Sequence, residues 1–264
     1  IFSNTHHPFI ILIDEWDCIF RAYKNNKAAQ VKYLDFLRDT LKDKAYIQLV
    51  YMTGILPIKK YGTHSALNMF SEYSMANPRQ LAEYVGFTEE EVEELCDQYH
   101  MNLKELKEWY DGYRAAAGEY LYNPRSVVCA LRDNQLANYW TSSGTYDSVF
   151  TYIKGNIADV RNDLVLMVAG EHVPAKMQQY AATANELHTK DQIYSAMVVY
   201  GLLTYEDGKV FIPNKELMDK FDELLLSNQQ LGYVYRLARE SQRMLQATIH
   251  GDTDTMEEIL EYVH

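Results

Sequence analysis

The sequence has few of the residues that mark disulfide-rich, membrane-spanning or linker-containing proteins. Its three cysteines, Cys18, Cys96 and Cys129, are odd in number and far apart, so neither a disulfide framework nor a Cys-x-x-Cys metal site is indicated. Twelve glycines and six prolines are too few to mark a flexible linker. No uncharged apolar run reaches the roughly 18 residues that span a bilayer. These absences predict a soluble, cytoplasmic protein with no membrane partner.

Basic residues are also scarce. Lysine and arginine total 25 against 37 aspartates and glutamates, which gives a formal net charge of -12. Because no cluster of basic residues offsets this charge, its field repels phosphate backbones, and we do not expect nucleic-acid binding through this chain. The sequence does have 47% hydrophobic residues over 264 positions, enough to bury a sizeable core in one large domain or two smaller ones.

A strand, a helix and a second strand are predicted near the start of the chain. Residues 9–13 form a short apolar run rich in β-branched side chains, typical of a strand buried on both faces of a parallel sheet. Apolar positions recur at helical spacing over about 28–42, and a second strand-like run covers 45–52. A connection of this length predicts a parallel, right-handed βαβ unit.

Polar residues follow both predicted strands. Asp14 and Glu15 end the first strand, at the edge of the sheet where open α/β folds bind ligands. This pattern is typical of a Walker B segment, in which Asp14 would hold the Mg²⁺ shell and Glu15 would be the base that polarises the attacking water. Thr53 ends the second strand and would contact the γ-phosphate or that water. On the dipeptide alone, Asp14 as a helix cap and Glu15 as an acidic first-turn residue is an equally good interpretation.

The phosphate-binding loop that such a site needs is absent. No G-x-x-x-x-G-K-[ST] segment occurs, and the sequence opens at Ile1 without an initiator methionine or a signal-peptide pattern. Because that loop belongs before Walker B, we expect a fragment whose upstream part is missing. The chain by itself is therefore expected to bind ATP and Mg²⁺ weakly or not at all, and to be inactive as an ATPase.

The remainder is predicted to be helical from about residue 65 and to end in a winged-helix-like unit. Thr88 and Glu91 have the spacing of a capping box. Later, a helix over 189–200, a hairpin over 202–212 and a further helix after Pro213 follow in order. The wing tip carries Glu206 and Asp207, so we expect it to pack against the ATPase core or a partner rather than DNA. The change of structural type predicts domains at 1–76, 77–185 and 186–264.

Several short motifs occur in an order that resembles the predicted AAA-ATPase-like family. They cover most of the chain: 10–17 (IILIDEWD), 53–54 (TG), 86–92 (GFTEEEV), 109–113 (WYDGY), 122–124 (YNP), 139–140 (YW), 143–145 (SGT) and 200–204 (YGLLT). This sequence departs from the family pattern at Trp16, where tyrosine is usual, and at Ile19, where proline is frequent. Neither position is one of the two carboxylates.

The resemblance implies an α/β plus α fold, with a partial P-loop NTPase (AAA-like) parallel sheet followed by the helical region and the winged-helix-like unit. It also implies ATP hydrolysis with Mg²⁺, an upstream Walker A loop and, in many members, an attached PD-(D/E)XK nuclease-like domain in cis. Two alternatives stay open. One is a nucleotide-sensing or protein-interaction module without significant hydrolysis, and the other is a winged-helix DNA-binding regulator. The turn at 110–113 is interpreted as structural, with aromatic side chains packing onto the helical region.

Overall fold

The computed structural model describes residues 2–23, 25–56, 67–74, 81, 84–114, 120–144, 146, 157–177, 187–226, 240–241 and 243–263. The strands are β1 (Phe9–Ile13), β2 (Ile47–Met52), β3 (Tyr113–Arg114), β4 (Tyr120–Leu121), β5 (Val173–Pro174), β6 (Thr204–Glu206) and β7 (Lys209–Phe211). The helices are α1 (Phe2–Thr5), α2 (Cys18–Ala22), α3 (Lys27–Leu41), α4 (Glu89–Tyr99), α5 (Leu103–Tyr110), α6 (Pro124–Asp133), α7 (Ile157–Val168), α8 (Lys190–Val199), α9 (Lys215–Leu226) and α10 (Thr253–Val263). No helix within these residues is long and apolar enough to cross a membrane.

The predicted parallel unit at the start of the chain is confirmed. Strands β1 and β2 pair in parallel, with Ile11 opposite Val50 and Ile13 opposite Met52. The connection between them contains α2 and α3, and α3 begins where the Asn26 side chain accepts a hydrogen bond from the third residue of the helix. Its apolar stripe of Leu34, Leu37 and Leu41 is buried in the cluster against which those strand residues pack. The carboxyl ends of β1 and β2 therefore lie side by side.

The prediction that β1 is buried on both faces is wrong. Ile10 is 61% exposed and Leu12 is 73% exposed, and on β2 Leu49 and Tyr51 are exposed on alternate positions in the same way. Within the described residues the sheet contains only these two strands. An apolar run shows that a strand can be buried on both faces, but it does not show that both faces are covered.

The helical region contains the predicted capping box. The backbone N–H of Glu91 donates to Thr88 Oγ1 at 3.3 Å, and the Glu91 carboxylate accepts from Thr88 N at 2.9 Å. Helices α4, α5 and α6 enclose a second apolar cluster around Val92, Leu106 and Val127. The prediction that the chain stays helical from about residue 65 is wrong. Residues 67–74 form no helix, and the short antiparallel pair of β3 and β4 interrupts the helices.

The predicted helix and hairpin near the end of the chain are present as α8, β6 and β7. Asp207 and Gly208 join the two strands with φ values of 48° and 80°, the left-handed conformation that a tight hairpin needs. A third strand, β5, pairs with β7 and was not predicted. The hairpin of β6 and β7 contacts β3 and β4 in the helical region. Glu206 forms an ion pair with Arg114 Nη1 at 2.9 Å and accepts a hydrogen bond from the Tyr120 hydroxyl at 2.9 Å.

A buried carboxylate joins α6, α9 and the segment between them. Glu216 is 1% exposed and accepts hydrogen bonds from Ser126 Oγ at 2.7 Å and from the backbone N–H groups of Trp140 and Thr141 at 2.6 and 3.1 Å. Desolvation raises the pKa of Glu216, and these hydrogen bonds partly oppose the shift. This one carboxylate therefore connects α6, α9 and the segment at 140–141.

The turn at 110–113 has the structural role expected of it. Tyr110 and Tyr113 are buried, and the Tyr110 hydroxyl donates to the carbonyl of Ala137 at 2.9 Å. Gly112 has a φ of 102°, and a Cβ at this position would lie 2.8 Å from the carbonyl carbon of Pro213. Only glycine suits both the conformation and the close approach.

The predicted domain boundaries, near residues 76 and 185, lie outside the described residues. The larger apolar cluster includes residues of all three predicted domains, for example Leu34, Leu164 and Met197. The division into domains stays a prediction.

Candidate functional site

The structure brings the side chains of Asp14 and Thr53 together at the carboxyl edge of the parallel pair, and Glu15 is the next residue in the chain. Thr53 N donates to the carbonyl of Ile13 at 2.9 Å, and Trp16 N donates to the carbonyl of Thr53 at 2.9 Å. The hydrogen-bond ladder thus continues past the ends of both strands. This continuation places the Thr53 hydroxyl beside Asp14, and the hydroxyl donates a hydrogen bond to Asp14 Oδ1.

Asp14 is exposed and points away from the core. Its Oδ1 accepts the Thr53 hydroxyl and also the backbone N–H of Glu15 at 3.0 Å, whereas its Oδ2 has no hydrogen-bond donor among the described residues. Helix α2 begins after Asp17 and has no acidic residue in its first turn. Asp14 therefore does not cap this helix, and Glu15 is not one of its first-turn acids.

Glu15 occupies an unusual backbone conformation. Its φ is 52°, in the left-handed region that non-glycine residues rarely adopt. The side chain is 63% exposed, and its Oε2 lies 2.9 Å from Arg21 Nη2. The Glu15 carboxylate therefore lies beside α2, in which Arg21 stands.

Sequence reasoning missed Asp17 and Arg21 as parts of this site. Asp17 is fully buried, and its Oδ2 accepts from Leu56 N at 3.1 Å and lies 3.2 Å from Arg21 Nε. Asp17 Oδ1 is buried without a hydrogen-bond partner among the described residues. The spacing of four residues between an aspartate and an arginine was the available signal, since such pairs meet on one face of a helix.

Gly54 allows this close packing. A Cβ at Gly54 would lie 2.6 Å from Trp16 Nε1 and 2.9 Å from Asp17 Oδ1, closer than side-chain carbons approach such atoms. Trp16 is 4% exposed. The Thr-Gly pair therefore serves two purposes, a hydroxyl towards Asp14 and space for the indole and the buried carboxylate.

The donor set fits an Mg²⁺ ion that retains most of its water. Asp14 Oδ2 is a hard oxygen ligand of the kind that Mg²⁺ prefers. In the part of the chain that the structure describes, no group of three or more histidine, cysteine or acidic side chains is arranged to hold a metal. A cation at this edge would therefore need oxygen ligands beyond these side chains.

Comparisons with known proteins add little to the assignment of function. No family model matches the chain, and no solved structure matches it. A curated relative from Azotobacter chroococcum mcd 1, named "Uncharacterized protein in vnfD 5'region", is 24% identical over 142 residues. The match covers 52% of this chain and 27% of the relative, so the chain spans about a quarter of that protein. The name of the relative gives no activity.

Proposed function

We propose that this chain carries the Mg²⁺-binding and water-activating edge of a P-loop ATPase. The observation that carries the proposal is the hydrogen bond between Thr53 and Asp14 at the adjacent carboxyl ends of two parallel strands, with Glu15 next in the chain. Open α/β sheets bind ligands at this edge. Two carboxylates and a hydroxyl are the groups that phosphoryl transfer to water requires there.

Each residue has a separate role in this proposal. Asp14 holds the hydration shell of Mg²⁺ through its Oδ2 oxygen, which no described donor occupies. Glu15 accepts a proton from the attacking water through Oε1, because Oε2 is paired with Arg21. Thr53 contacts the γ-phosphate or the attacking water. Bound Mg²⁺ would neutralise charge on the phosphates.

Tight ATP binding needs residues beyond these three. The sequence contains no phosphate-binding loop motif, and its net charge of -12 opposes a polyanionic ligand. We therefore propose that other residues of the natural gene product supply the phosphate loop and that hydrolysis is coupled to an attached effector, such as a nuclease-like domain in cis. The described cysteines are unbridged, which suits a reducing compartment, so the proposal places the protein in the cytoplasm.

Calorimetry with Mg²⁺-ATP tests the metal assignment. The 264-residue chain is expected to bind with a dissociation constant of about 1 mM or weaker, because three side chains offer few phosphate contacts. The natural gene product that contains this chain is expected to bind at about micromolar concentration, and Asp14→Asn should weaken this binding or remove its Mg²⁺ dependence. Asp39→Asn is the matched control, since Asp39 is an exposed acid of α3.

Two results would contradict the assignment. One is micromolar Mg²⁺-ATP binding by the 264-residue chain that Asp14→Asn leaves unchanged. The other is wild-type affinity and Mg²⁺ dependence in the Asp14→Asn variant of the natural gene product. A nucleotide-sensing module would bind in the same way as an ATPase, and the hydrolysis measurement that closes the Discussion separates the two.

A further inference from the structure

A single arginine connects the exposed carboxylate of Glu15 to the buried carboxylate of Asp17. Arg21 Nε lies 3.2 Å from Asp17 Oδ2, and Arg21 Nη2 lies 2.9 Å from Glu15 Oε2. The Arg21 side chain is 19% exposed, between the 63% of Glu15 and the 0% of Asp17. Both distances are within ion-pair range, and the planar guanidinium presents a nitrogen to each carboxylate.

Asp17 is fixed relative to both strands. It follows β1 in the chain, and it accepts a hydrogen bond from Leu56 N, in the segment after β2 that contains Thr53. The fully buried carboxylate lies between Gly54 and Arg21 of α2. Because Asp17 fixes one side of the guanidinium, the nitrogen that faces Glu15 also has a defined place.

Glu15 has little else to hold its carboxylate. The side chain is mostly exposed, and an exposed glutamate samples several rotamers unless a partner selects one. A general base must be held within hydrogen-bond reach of its proton, and a third group commonly orients it.

We propose that Asp17 and Arg21 are positioning residues that orient Glu15 for the attack of water. Arg21 holds Oε2, which leaves Oε1 to accept the proton, and Asp17 holds Arg21. This inference rests on the proposed ATPase function. The alternative interpretation is a structural ion pair, in which Arg21 only neutralises the buried charge of Asp17.

Steady-state hydrolysis of Mg²⁺-ATP by the natural gene product tests the inference. Arg21→Gln is expected to lower kcat by about 10- to 100-fold, the scale of a misplaced reacting group, with KM changed by less than about twofold. Arg21→Lys should restore only part of the rate, because one ammonium cannot pair with both carboxylates as the two guanidinium nitrogens do. Arg38→Gln is the matched control, since Arg38 forms only surface ion pairs on α3.

A second variant keeps the test independent of folding. Arg21→Gln leaves Asp17 buried without its cation, which destabilises the fold. The double variant Asp17→Asn with Arg21→Gln removes both charges, and asparagine keeps the shape of Asp17 and an oxygen for Leu56 N, so the variant should fold and still show the loss in kcat.

The Glu15→Gln background separates positioning from a structural role. Once the base is gone there is nothing to orient, so adding Arg21→Gln to Glu15→Gln should cause less than about twofold further loss in kcat. A structural role predicts that the two losses multiply. That result would overturn the inference, as would a wild-type kcat in the double variant Asp17→Asn with Arg21→Gln. If Glu15→Gln itself hydrolyses ATP at the wild-type rate, the proposed function fails instead.

Discussion

Replacing Glu216 with alanine is expected to destabilise the protein by about 3 to 6 kcal/mol. Its buried carboxylate accepts hydrogen bonds from Ser126 Oγ and from the backbone N–H groups of Trp140 and Thr141. Removing it leaves three donors without an acceptor, and each unsatisfied buried group costs about 1 to 3 kcal/mol. We take the lower part of the summed range because water entering the vacated space would satisfy some of the donors.

Glu216→Gln is the informative partner variant. Its amide oxygen can still accept from both backbone N–H groups, and the Ser126 hydroxyl can accept from its amide nitrogen, so the expected cost is about 1 kcal/mol. Glu223→Ala, at an exposed position of the same helix, should change stability by less than about 0.5 kcal/mol.

Urea unfolding at neutral pH, followed by tryptophan fluorescence and circular dichroism, gives the free energies of unfolding. The interpretation fails if Glu216→Ala lies within about 1 kcal/mol of the wild type. It also fails if Glu216→Gln is as destabilising as Glu216→Ala, since the hydrogen-bonded shape would then contribute nothing.

Three further predictions concern stability. Because burial raises the pKa of Glu216, the stability that the protonated carboxyl contributes is fully present below pH 4.5 and is lost as the pH rises through the raised pKa. The cost of Glu216→Gln relative to the wild type should therefore become smaller as the pH rises, and a constant difference in urea unfolding over a pH series would contradict this. His100→Gly should raise the free energy of unfolding by about 0.5 to 1 kcal/mol, because the exposed His100 follows α4 with a φ of 58°, a left-handed conformation that glycine adopts without strain. The variant should have a higher Tm, and a lower Tm would contradict this. Gly112→Ala should lower the free energy of unfolding by more than about 2 kcal/mol, because the new Cβ would clash with Pro213. Gly208→Ala should lower it less, because Gly208 also has a positive φ but faces open space. Equal losses in urea unfolding would show that packing at Gly112 contributes nothing.

Local sequence patterns were sufficient for the elements that carry the candidate site. The β-branched run before Asp14, the helical spacing of Leu34, Leu37 and Leu41, and the second run before Thr53 each indicate one element. A long connection between two such strands implies a parallel pair. The proximity of Asp14 and Thr53 then follows, because neighbouring parallel strands end at the same edge.

Contacts between distant residues were not predictable in this way. The strand sequence does not show that Ile10 and Leu12 stay exposed, because exposure depends on what else covers the sheet. Glu216 looks like an ordinary acid near the start of a helix, and its burial depends on partners 75 and more positions away. The left-handed backbone at Glu15 has no signal in the sequence, since glutamate rarely adopts it.

The assignment of Glu15 as the base is tested most directly by single-turnover hydrolysis of Mg²⁺-ATP in the natural gene product. Glu15→Gln keeps the side-chain shape and removes only the carboxylate, so binding should persist while hydrolysis falls by roughly 100-fold or more. The matched control is Glu258→Gln, because Glu258 is 69% exposed and lies 3.1 Å from Arg243, a pair much like that of Glu15 and Arg21. We expect wild-type hydrolysis for Glu258→Gln and a strong loss for Glu15→Gln. Hydrolysis at the wild-type rate in Glu15→Gln would contradict it.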